Sequence, residues 1–317
     1  MARSSPSPAL RPQTAGPPAP LARPTLTLLF ISLRPEQWTK NVIVFAAALF
    51  GGRLFDVDAL GLALATFFIF CALSGAIYLF NDLADRDADT RHPLKRSRPI
   101  ASGELRSGYA VALGVVLAAG GTGTAFMISP LVGLVAAVYV ALLLAYSTAL
   151  KHLVIVDALT IAGGFVLRAI AGAWAVAVPI SAWLLVCTSL LALFLAFSKR
   201  RHELTLLADG AGDHRRILHE YSPYLLDQMI AVVTASTLIA YSVYATSAET
   251  AERLGTTYLG LTIPFVLYGI FRYLYLVHQK RGGGSPAAML ITDGPLLACV
   301  ALWAMAVAVI LYSPLGR

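Results

Sequence analysis

Charged residues and cysteines are both scarce in this sequence. Charged residues make up 13% of the 317 positions and hydrophobic residues 58%, and the mean hydropathy is +0.73. This composition excludes an ordinary soluble globule and indicates a membrane protein with several spanning helices. The cysteines, Cys71, Cys187 and Cys299, lie far apart in apolar runs, so neither a disulfide framework nor a CxxC metal site is indicated.

Motifs for several common ligands are also missing. No two histidines are four residues apart, which argues against a helical zinc site. The sequence has no Walker A loop and no nucleic-acid-binding motif. We therefore expect no nucleic-acid partner, and the net charge of +7 is better explained by membrane topology.

Apolar runs of about 20 residues recur along the chain, and each is long enough to cross roughly 30 Å of hydrocarbon. They predict an all-α bundle of nine transmembrane helices with a cytoplasmic polar cavity, formed by residues 25–317. Residues 1–24 are rich in Pro, Ala, Ser and Arg and predict a disordered tail without a signal peptide. The predicted spans are Pro35–Phe55, Ala59–Phe80, Gly108–Ile128, Leu131–Ala149, Leu153–Val176, Ile180–Phe197, Asp227–Thr246, Tyr258–Val277 and Gly294–Tyr312.

The distribution of basic residues predicts the orientation. Loops after the even-numbered spans carry nearly all the loop arginines and lysines, whereas the loops after the odd-numbered spans carry only Arg53 and Arg253. The positive-inside bias therefore predicts a protein of the inner (cytoplasmic) membrane. Its amino terminus and the loops after the even-numbered spans are predicted to lie in the cytoplasm.

The densest charge cluster, at positions 81–99, directly follows the second apolar run. If the helix continues, Asp82, Asp85 and Asp89 lie within about 60° of one another, while Asp87 points elsewhere. Three carboxylates on one face repel each other, and a divalent cation with hard oxygen ligands, Mg²⁺, would hold them. The alternative is a solvated loop of mixed charge.

Polar residues near this cluster could bind the phosphates that usually accompany Mg²⁺. The candidates are Asn81, His92, Lys95 and Arg98. The start of the first span adds a polar helix face, because four of its residues have the spacing i, i+3, i+4, i+7. These residues are Arg34, Gln37, Trp38 and Asn41, and Lys40 lies beside them. An interfacial anchor is the alternative for that face.

Ionisable residues inside later spans usually face a cavity. Asp157 and Arg168 are eleven residues apart and share a helix face, with a buried structural ion pair as the alternative for Arg168. Tyr146, Lys151, Lys199, Arg200 and Glu203 are further candidates at span ends, although topology alone could explain the basic run. Asp209 and Asp213 are interpreted as loop residues, because Gly210 and Gly212 break the helix that would align them.

The aspartate stretch resembles the first aspartate-rich motif of the UbiA superfamily of intramembrane prenyltransferases, which binds a Mg²⁺–diphosphate group. The strings at 33–41, 151–168 and 198–204 resemble one branch, the decaprenyl-phosphate phosphoribosyltransferases. This branch has Lys-Arg-Arg-His-Glu-Leu where aromatic prenyltransferases typically carry a second aspartate motif.

The resemblance implies an enzyme that moves 5-phosphoribose from phosphoribosyl diphosphate (PRPP) to a polyprenyl phosphate, with Mg²⁺ held by Asp82, Asp85 and Asp89. A prenyltransferase acting on an aromatic or small lipid acceptor would use the same metal site and remains an alternative. A transporter would explain charges within the membrane but not a row of carboxylates. The sequence leaves the lipid chain length and a homo-oligomer open.

Overall fold

The computed structural model describes residues 23–93, 95–208, 220–280, 289–290 and 292–313, without the side chains of 206–208. The predicted disordered tail lies outside the described residues except for Arg23 and Pro24, and so do Asp209 and Asp213. The described chain is helical and contains no strand. Its α-helices are α1 (Thr25–Ser32), α2 (Ala46–Phe50), α3 (Val57–Ala84), α4 (Arg86–Arg91), α5 (Ser107–Ile128), α6 (Pro130–Thr148), α7 (Val156–Ala175), α8 (Ala182–Ala208), α9 (Pro223–Thr246), α10 (Ala248–Leu254), α11 (Ile263–His278) and α12 (Gly294–Tyr312).

Within the described residues, eight helices are long and apolar enough to cross a membrane. They correspond to the second through ninth predicted spans, and the all-α membrane fold is confirmed. The eighth of the predicted spans begins with a 3₁₀ turn, Tyr258–Thr262, that continues directly into α11.

The described residues give eight spanning α-helices rather than the nine predicted, and the difference lies in the first predicted span. Pro35–Phe45 forms a 3₁₀ helix, and only Ala46–Phe50 is α-helical before Gly51. The start of this segment carries Glu36, Gln37, Lys40 and Asn41, so it lacks the continuous apolar surface of a membrane helix.

This entry segment, Pro35–Phe50, nevertheless runs the length of the bundle. Arg34, just before it, pairs with Asp82 at the carboxyl end of α3, and Arg53, just after it, pairs with Asp56 at the amino end of α3. A 3₁₀ helix rises about 2.0 Å per residue, so the segment covers roughly 30 Å with fewer residues than an α-helix would need. The chain thus passes from one end of the helix bundle to the other along this segment.

The entry segment packs closely against α7. At Gly172, an added Cβ would lie 2.1 Å from the backbone oxygen of Val44, so only glycine permits this approach. The close packing brings the polar side chains at the start of the segment next to those of α3 and α7.

Two groups of helices surround these elements. In the first, α3 packs against α5, α6 and the entry segment, and its core includes Phe70, Leu73 and Tyr139. In the second, α8 packs between α7 and α9, and its core includes Tyr221 and Tyr273. Because α7 contacts both groups, polar residues on α7 can join them.

One end of the bundle contains the aspartate stretch, and we call it the aspartate end. A cavity of about 360 Å³ lies at the opposite end, where Arg53 and Arg253 contribute to its lining. None of the residues predicted for the functional site lines this cavity. The predicted site residues instead lie at the aspartate end and in the bundle interior.

Candidate active site

The aspartate motif begins in the last turn of α3 and continues into the short helix α4. The main helix ends at Ala84, and Asp85 adopts φ −93° and ψ 5° before α4 begins at Arg86. Asp82 and Asp89 are buried, each about 3% exposed, whereas Asp87 is exposed. The single continuous helix assumed for the motif is thus replaced by two helices joined at Asp85.

Two arginines neutralise the buried carboxylates. Arg98 binds Oδ1 of Asp82 at 3.1 Å and Oδ2 of Asp89 at 2.6 Å, and so joins the two aspartates. Arg34 binds the same Asp82 oxygen at 2.5 Å, while its guanidinium lies 4.7 Å from the ring centre of Tyr78. Buried carboxylates require such partners, because an unpaired charge in this environment is costly.

Asp85 has different partners. Lys151, which is buried, binds its Oδ1 at 2.5 Å, and the amide of Asn81 donates to its Oδ2 at 3.1 Å. Lys151 belongs to the 3₁₀ turn Leu150–His152 between α6 and α7, 66 positions away in the sequence. The structure therefore brings predicted residues from three separate segments to the aspartate end.

Among the described residues, no group of three or more acidic, histidine or cysteine side chains is close enough to hold a metal ion. Asp82 and Asp89 instead share Arg98, and Asp85 pairs with Lys151. The carboxylate oxygens are nevertheless the donors that Mg²⁺ prefers, and they lie at a helix end beside cations that can bind phosphates. The donor set fits Mg²⁺, and the role of these aspartates as metal ligands stays a prediction.

His92 and Lys95 lie just beyond α4. The backbone N–H of Lys95 donates to Nδ1 of His92 at 3.3 Å, so the imidazole supports the turn that leads to Arg98. The Lys95 ammonium lies 4.0 Å from Oδ1 of Asp89. Both residues thus lie at the aspartate end, as the sequence indicates.

A second polar group lies inside the bundle, around Arg168 on α7. Arg168 is 5% exposed, and it donates to Asn41 Oδ1 at 2.6 Å, to the Tyr139 hydroxyl at 2.6 Å and to the Gly164 carbonyl at 2.9 Å. In the described part of the chain it forms no ion pair with a carboxylate, so the alternative of a buried structural ion pair for Arg168 is not supported.

Lys40 adds a further positive charge to this group. It interacts electrostatically with Arg34, with Arg168 and with the Glu36 carboxylate, and it has no ion pair within 4.0 Å among the described residues. Three cations from two segments therefore lie near one another, and Arg34 among them is paired with Asp82. We call Arg34, Lys40 and Arg168 the cation track.

Other members of the predicted face on the entry segment are less involved. Gln37 is partly exposed, and Trp38 packs edge-on against Phe30 with ring centres 6.3 Å apart. The indole Nε1 of Trp38 is buried without a hydrogen-bond partner among the described residues, and Asn41 is fully buried against Arg168. A substrate-binding role for Gln37 stays a prediction.

The third polar group joins α7, α8 and the start of α9. Arg200 donates through Nε to Asp157 Oδ2 at 2.8 Å, and the Tyr221 hydroxyl donates to Asp157 Oδ1 at 3.0 Å. Asp157 and Arg200 are 0% and 1% exposed. Burial raises the pKa of Tyr221 to about 12, so its hydroxyl keeps its proton at neutral pH.

Both oxygens of Asp157 accept hydrogen bonds from these partners, and a contact between Asp157 and substrate stays a prediction. Arg200 also lies 3.6 Å from Glu203, and Lys199 lies 4.0 Å from the same carboxylate. Tyr146 interacts electrostatically with Arg200. Asp157 and Arg200 together therefore form a buried packing element next to the site.

Sequence reasoning missed two tyrosines of the site. Tyr78 stacks on Arg34, and Tyr139 binds Arg168. Their spacing in the sequence could have indicated them, because Tyr78 precedes Asp82 by one helical turn and Tyr139 precedes Tyr146 by two turns. Both lie on helix faces that already held a predicted site residue.

The chain is similar to proteins of known family. Residues 41–292 match the model of the UbiA prenyltransferase family. The decaprenyl-phosphate phosphoribosyltransferases of Corynebacterium glutamicum and Mycolicibacterium smegmatis are each 33% identical to this chain. These matches cover 89% and 92% of the chain and 86% and 93% of the relatives. The nodulation protein NoeC of Azorhizobium caulinodans is 30% identical over 88% of the chain and 92% of its own length.

The fold is also similar to solved structures. A UbiA homologue from Archaeoglobus fulgidus bound to GPP and Mg²⁺ superposes with a TM-score of 0.67 at 19% identity, covering 89% of this chain and 99% of that one. At this identity the likeness concerns the fold.

Proposed function

Because the chain belongs to the UbiA prenyltransferase family and is a membrane-embedded transferase, we propose that it transfers 5-phosphoribose from PRPP to a polyprenyl phosphate such as decaprenyl phosphate. The observation that carries this proposal is the pairing of two sites of different charge. The aspartate end balances carboxylates with cations, whereas Arg168 and Lys40 have no carboxylate within ion-pair distance in the described chain. Such an arrangement suits two anionic substrates.

The aspartate end is suited to the donor. Asp82, Asp85 and Asp89 would hold Mg²⁺, and Lys95 and Arg98 are placed to bind donor phosphates. When bound, Mg²⁺ would neutralise the diphosphate of the donor. On binding, Arg98 and Lys151 could exchange their carboxylate partners for phosphate oxygens, which keeps each charge paired.

The cation track is suited to the acceptor. A polyprenyl phosphate keeps its tail in the bilayer and its phosphate near the interface, where Arg34 and Lys40 begin the track. Arg168 lies deeper and offers a guanidinium that Asn41 and Tyr139 hold in place. A phosphate there would give Lys40 and Arg168, which have no ion pair in the described structure, a counter-charge.

The proposed reaction exchanges one bond at ribose C1 for another. The bond from C1 to the diphosphate oxygen breaks, and its electron pair leaves with diphosphate. A phosphate oxygen of the lipid then forms the new bond to C1. The products are polyprenyl-phosphoribose 5-phosphate and diphosphate, and positive charge that develops on the ribose is stabilised by the anionic groups around it.

Orientation follows from the donor. PRPP is a water-soluble anion and Mg²⁺ a water-soluble cation, so both reach the protein from the cytoplasm. We therefore place the aspartate end at the cytoplasmic face of the cell membrane, in agreement with the basic loops at that end. The partners are then PRPP, the lipid phosphate and the bilayer.

Transfer of a prenyl group from a prenyl diphosphate is the second candidate. The homologue from Archaeoglobus fulgidus was solved with GPP and Mg²⁺, and the aspartate end alone could serve either donor. Phosphoribosyl transfer is favoured because a buried Arg168 without a carboxylate partner in the described chain suits a lipid phosphate rather than a neutral aromatic acceptor.

The test is incubation of the purified protein with Mg²⁺, PRPP labelled in the ribose and decaprenyl phosphate. A labelled lipid is expected, and it should be lost when Mg²⁺ is chelated or Asp82 is replaced by Asn. A parallel reaction with labelled prenyl diphosphate and aromatic acceptors tests the second candidate. Formation of a prenylated acceptor without any phosphoribosyl lipid would overturn the proposal.

A further inference from the structure

Tyr221 lies at a position where three parts of the chain meet. It is 4% exposed and immediately precedes Ser222, the residue that caps α9. Its hydroxyl accepts the backbone N–H of Ile155 at 2.7 Å and donates to Asp157 at 3.0 Å. The hydroxyl thus binds both the turn before α7 and the first turn of α7.

The turn that Tyr221 holds is strained. Ile155 has φ 69° and ψ −44°, and the N–H of Val156 bonds the carbonyl of Val154 at 2.8 Å. These are the features of a γ-turn with positive φ, a rare conformation that is unfavourable for a β-branched residue. Such a conformation persists only where surrounding contacts fix it.

The same short segment carries Lys151, four residues before Ile155. Lys151 reaches across to Asp85 at 2.5 Å, so the segment is bound to the aspartate motif at one end and to Tyr221 at the other. Asp157 is anchored in turn by Arg200 on α8. The geometry therefore links the buried Asp157–Arg200 pair to the aspartate end through one backbone turn.

We propose that Tyr221 is a positioning residue for the aspartate end: its hydroxyl fixes the turn at Ile155 and thereby holds Lys151 on Asp85. This role rests on the proposed function, because the aspartate end is taken as the donor site. The dependence of the Lys151–Asp85 contact on the Tyr221 hydroxyl can be measured without any substrate.

Without the Tyr221 hydroxyl, the Ile155 turn can relax and the Lys151 ammonium can leave Asp85. Asp85 would then keep only the amide of Asn81 as a described partner. Donor binding should weaken about three- to tenfold, the change in an equilibrium constant that corresponds to the neutral hydrogen bond from the Ile155 N–H, which holds the turn.

The first measurement needs no donor and uses Tyr221→Phe. Lysines are labelled with an amine-reactive reagent and quantified by mass spectrometry, with the partly exposed Lys199 as the internal reference. Labelling of Lys151 should rise about three- to tenfold in the variant, and labelling of Lys199 should stay unchanged. Unchanged labelling of Lys151 would overturn the proposal.

Tyr273→Phe is the matched control. Tyr273 belongs to the same buried core as Tyr221, and its hydroxyl has no hydrogen-bond partner in the described part of the protein. Removal of this hydroxyl should leave Lys151 labelling as in the wild type. An equal rise in both variants would mean that any loosening of this core exposes Lys151, and the proposal would fail.

The second measurement is the Mg²⁺-dependent affinity for PRPP, measured by calorimetry in a double-mutant cycle with Lys151→Met. Tyr221→Phe should weaken binding in the wild type but change it less than twofold when Lys151 is already absent. Independent losses would overturn the proposal. If the wild type binds no PRPP, the proposed function fails, whereas the labelling result still decides the role of Tyr221.

Ile155→Gly provides a second route if Tyr221→Phe folds poorly. Glycine adopts positive φ without strain, so the turn no longer depends on the hydroxyl. Tyr221→Phe should therefore raise Lys151 labelling less in the Ile155→Gly background than it does in the wild-type protein. A full rise in that background would contradict the link through Ile155.

Discussion

Arg168 donates its Nε–H to the side-chain oxygen of Asn41 at 2.6 Å, which joins α7 to the entry segment inside the bundle. Tyr139 accepts a second hydrogen bond from the same guanidinium. These neutral acceptors orient Arg168 without cancelling its charge, and Lys40 adds to the positive potential. A buried cation of this kind is costly unless an anion joins it, which leads to the first prediction.

Arg168→Gln should lower the use of lipid phosphate and leave Mg²⁺-dependent PRPP binding nearly intact. A charge-assisted hydrogen bond contributes about 1.5–3 kcal/mol, so kcat/KM for the lipid should fall by roughly 10- to 150-fold. Steady-state kinetics with varied lipid and calorimetry with PRPP measure the two effects.

The melting temperature of the same protein is the control, because Arg168 also joins α7 to the entry segment and to α6. A collapsed melting temperature with normal turnover per folded molecule would give Arg168 a structural role only. Arg168→Lys separates charge from geometry, since lysine keeps the charge but lacks the planar fork that binds Asn41 and Tyr139 together.

Asp82→Asn or Asp85→Asn should abolish turnover, whereas Asp87→Asn should keep most of it. Loss of several kcal/mol of charge stabilisation implies a decrease of about 100-fold or more for the first two. Asp87 is exposed and forms no ion pair in the described structure, so it is the matched control on the same stretch. Equal losses from all three variants would contradict this division of roles.

The aspartate stretch shows what the sequence could predict. The spacing of Asp82 and Asp89 predicted that they lie together, and Arg98 does join them. The angle calculated for Asp85 assumed an unbroken helix, whereas the chain bends there and Asp85 turns to Lys151. Helical periodicity carries no information about this pairing, because Lys151 is 66 positions away in the sequence.

The entry segment and Asp157 show which features the sequence could not predict. The residues of the first span give no local signal for a 3₁₀ helix, and in the structure this helix packs against Gly172 and α3. Asp157 was expected at the substrate because ionisable residues in membranes often mark function. Its partners, Arg200 and Tyr221, are 43 and 64 positions away, beyond any local pattern.

Lys95→Met should raise the KM for PRPP about tenfold and leave the KM for the lipid unchanged. The Lys95 ammonium lies 4.0 Å from Asp89 at the partly exposed edge of the site, whereas Arg98 binds the same buried carboxylate at 2.6 Å, so Lys95 can reach a donor phosphate while Asp89 keeps its nearer partner. One lost charge-assisted contact accounts for a change of this size. Steady-state kinetics with each substrate varied in turn provide the measurement.

Arg98→Gln should be more severe than Lys95→Met. Arg98 is expected to bind the donor as well, but its removal also leaves two buried aspartates without their shared partner. A change confined to the lipid constant in either variant would assign these residues to the acceptor phosphate instead. The comparison thus tests which substrate occupies the aspartate end.

The last prediction concerns the packing that brings the cation track together. Gly172→Ala should destabilise the protein by about 1–3 kcal/mol, because its Cβ would lie 2.1 Å from the Val44 carbonyl oxygen and would push the entry segment away from α7. This shift would separate Asn41 from Arg168, so lipid use should fall more than PRPP affinity. Gly163→Ala is the matched control on the same helix, since an added Cβ there comes no closer than 3.4 Å to Leu142. Melting temperature and kinetics with both substrates measure the outcome. If the two variants behave alike, close approach at Gly172 does not hold the acceptor side of the site together.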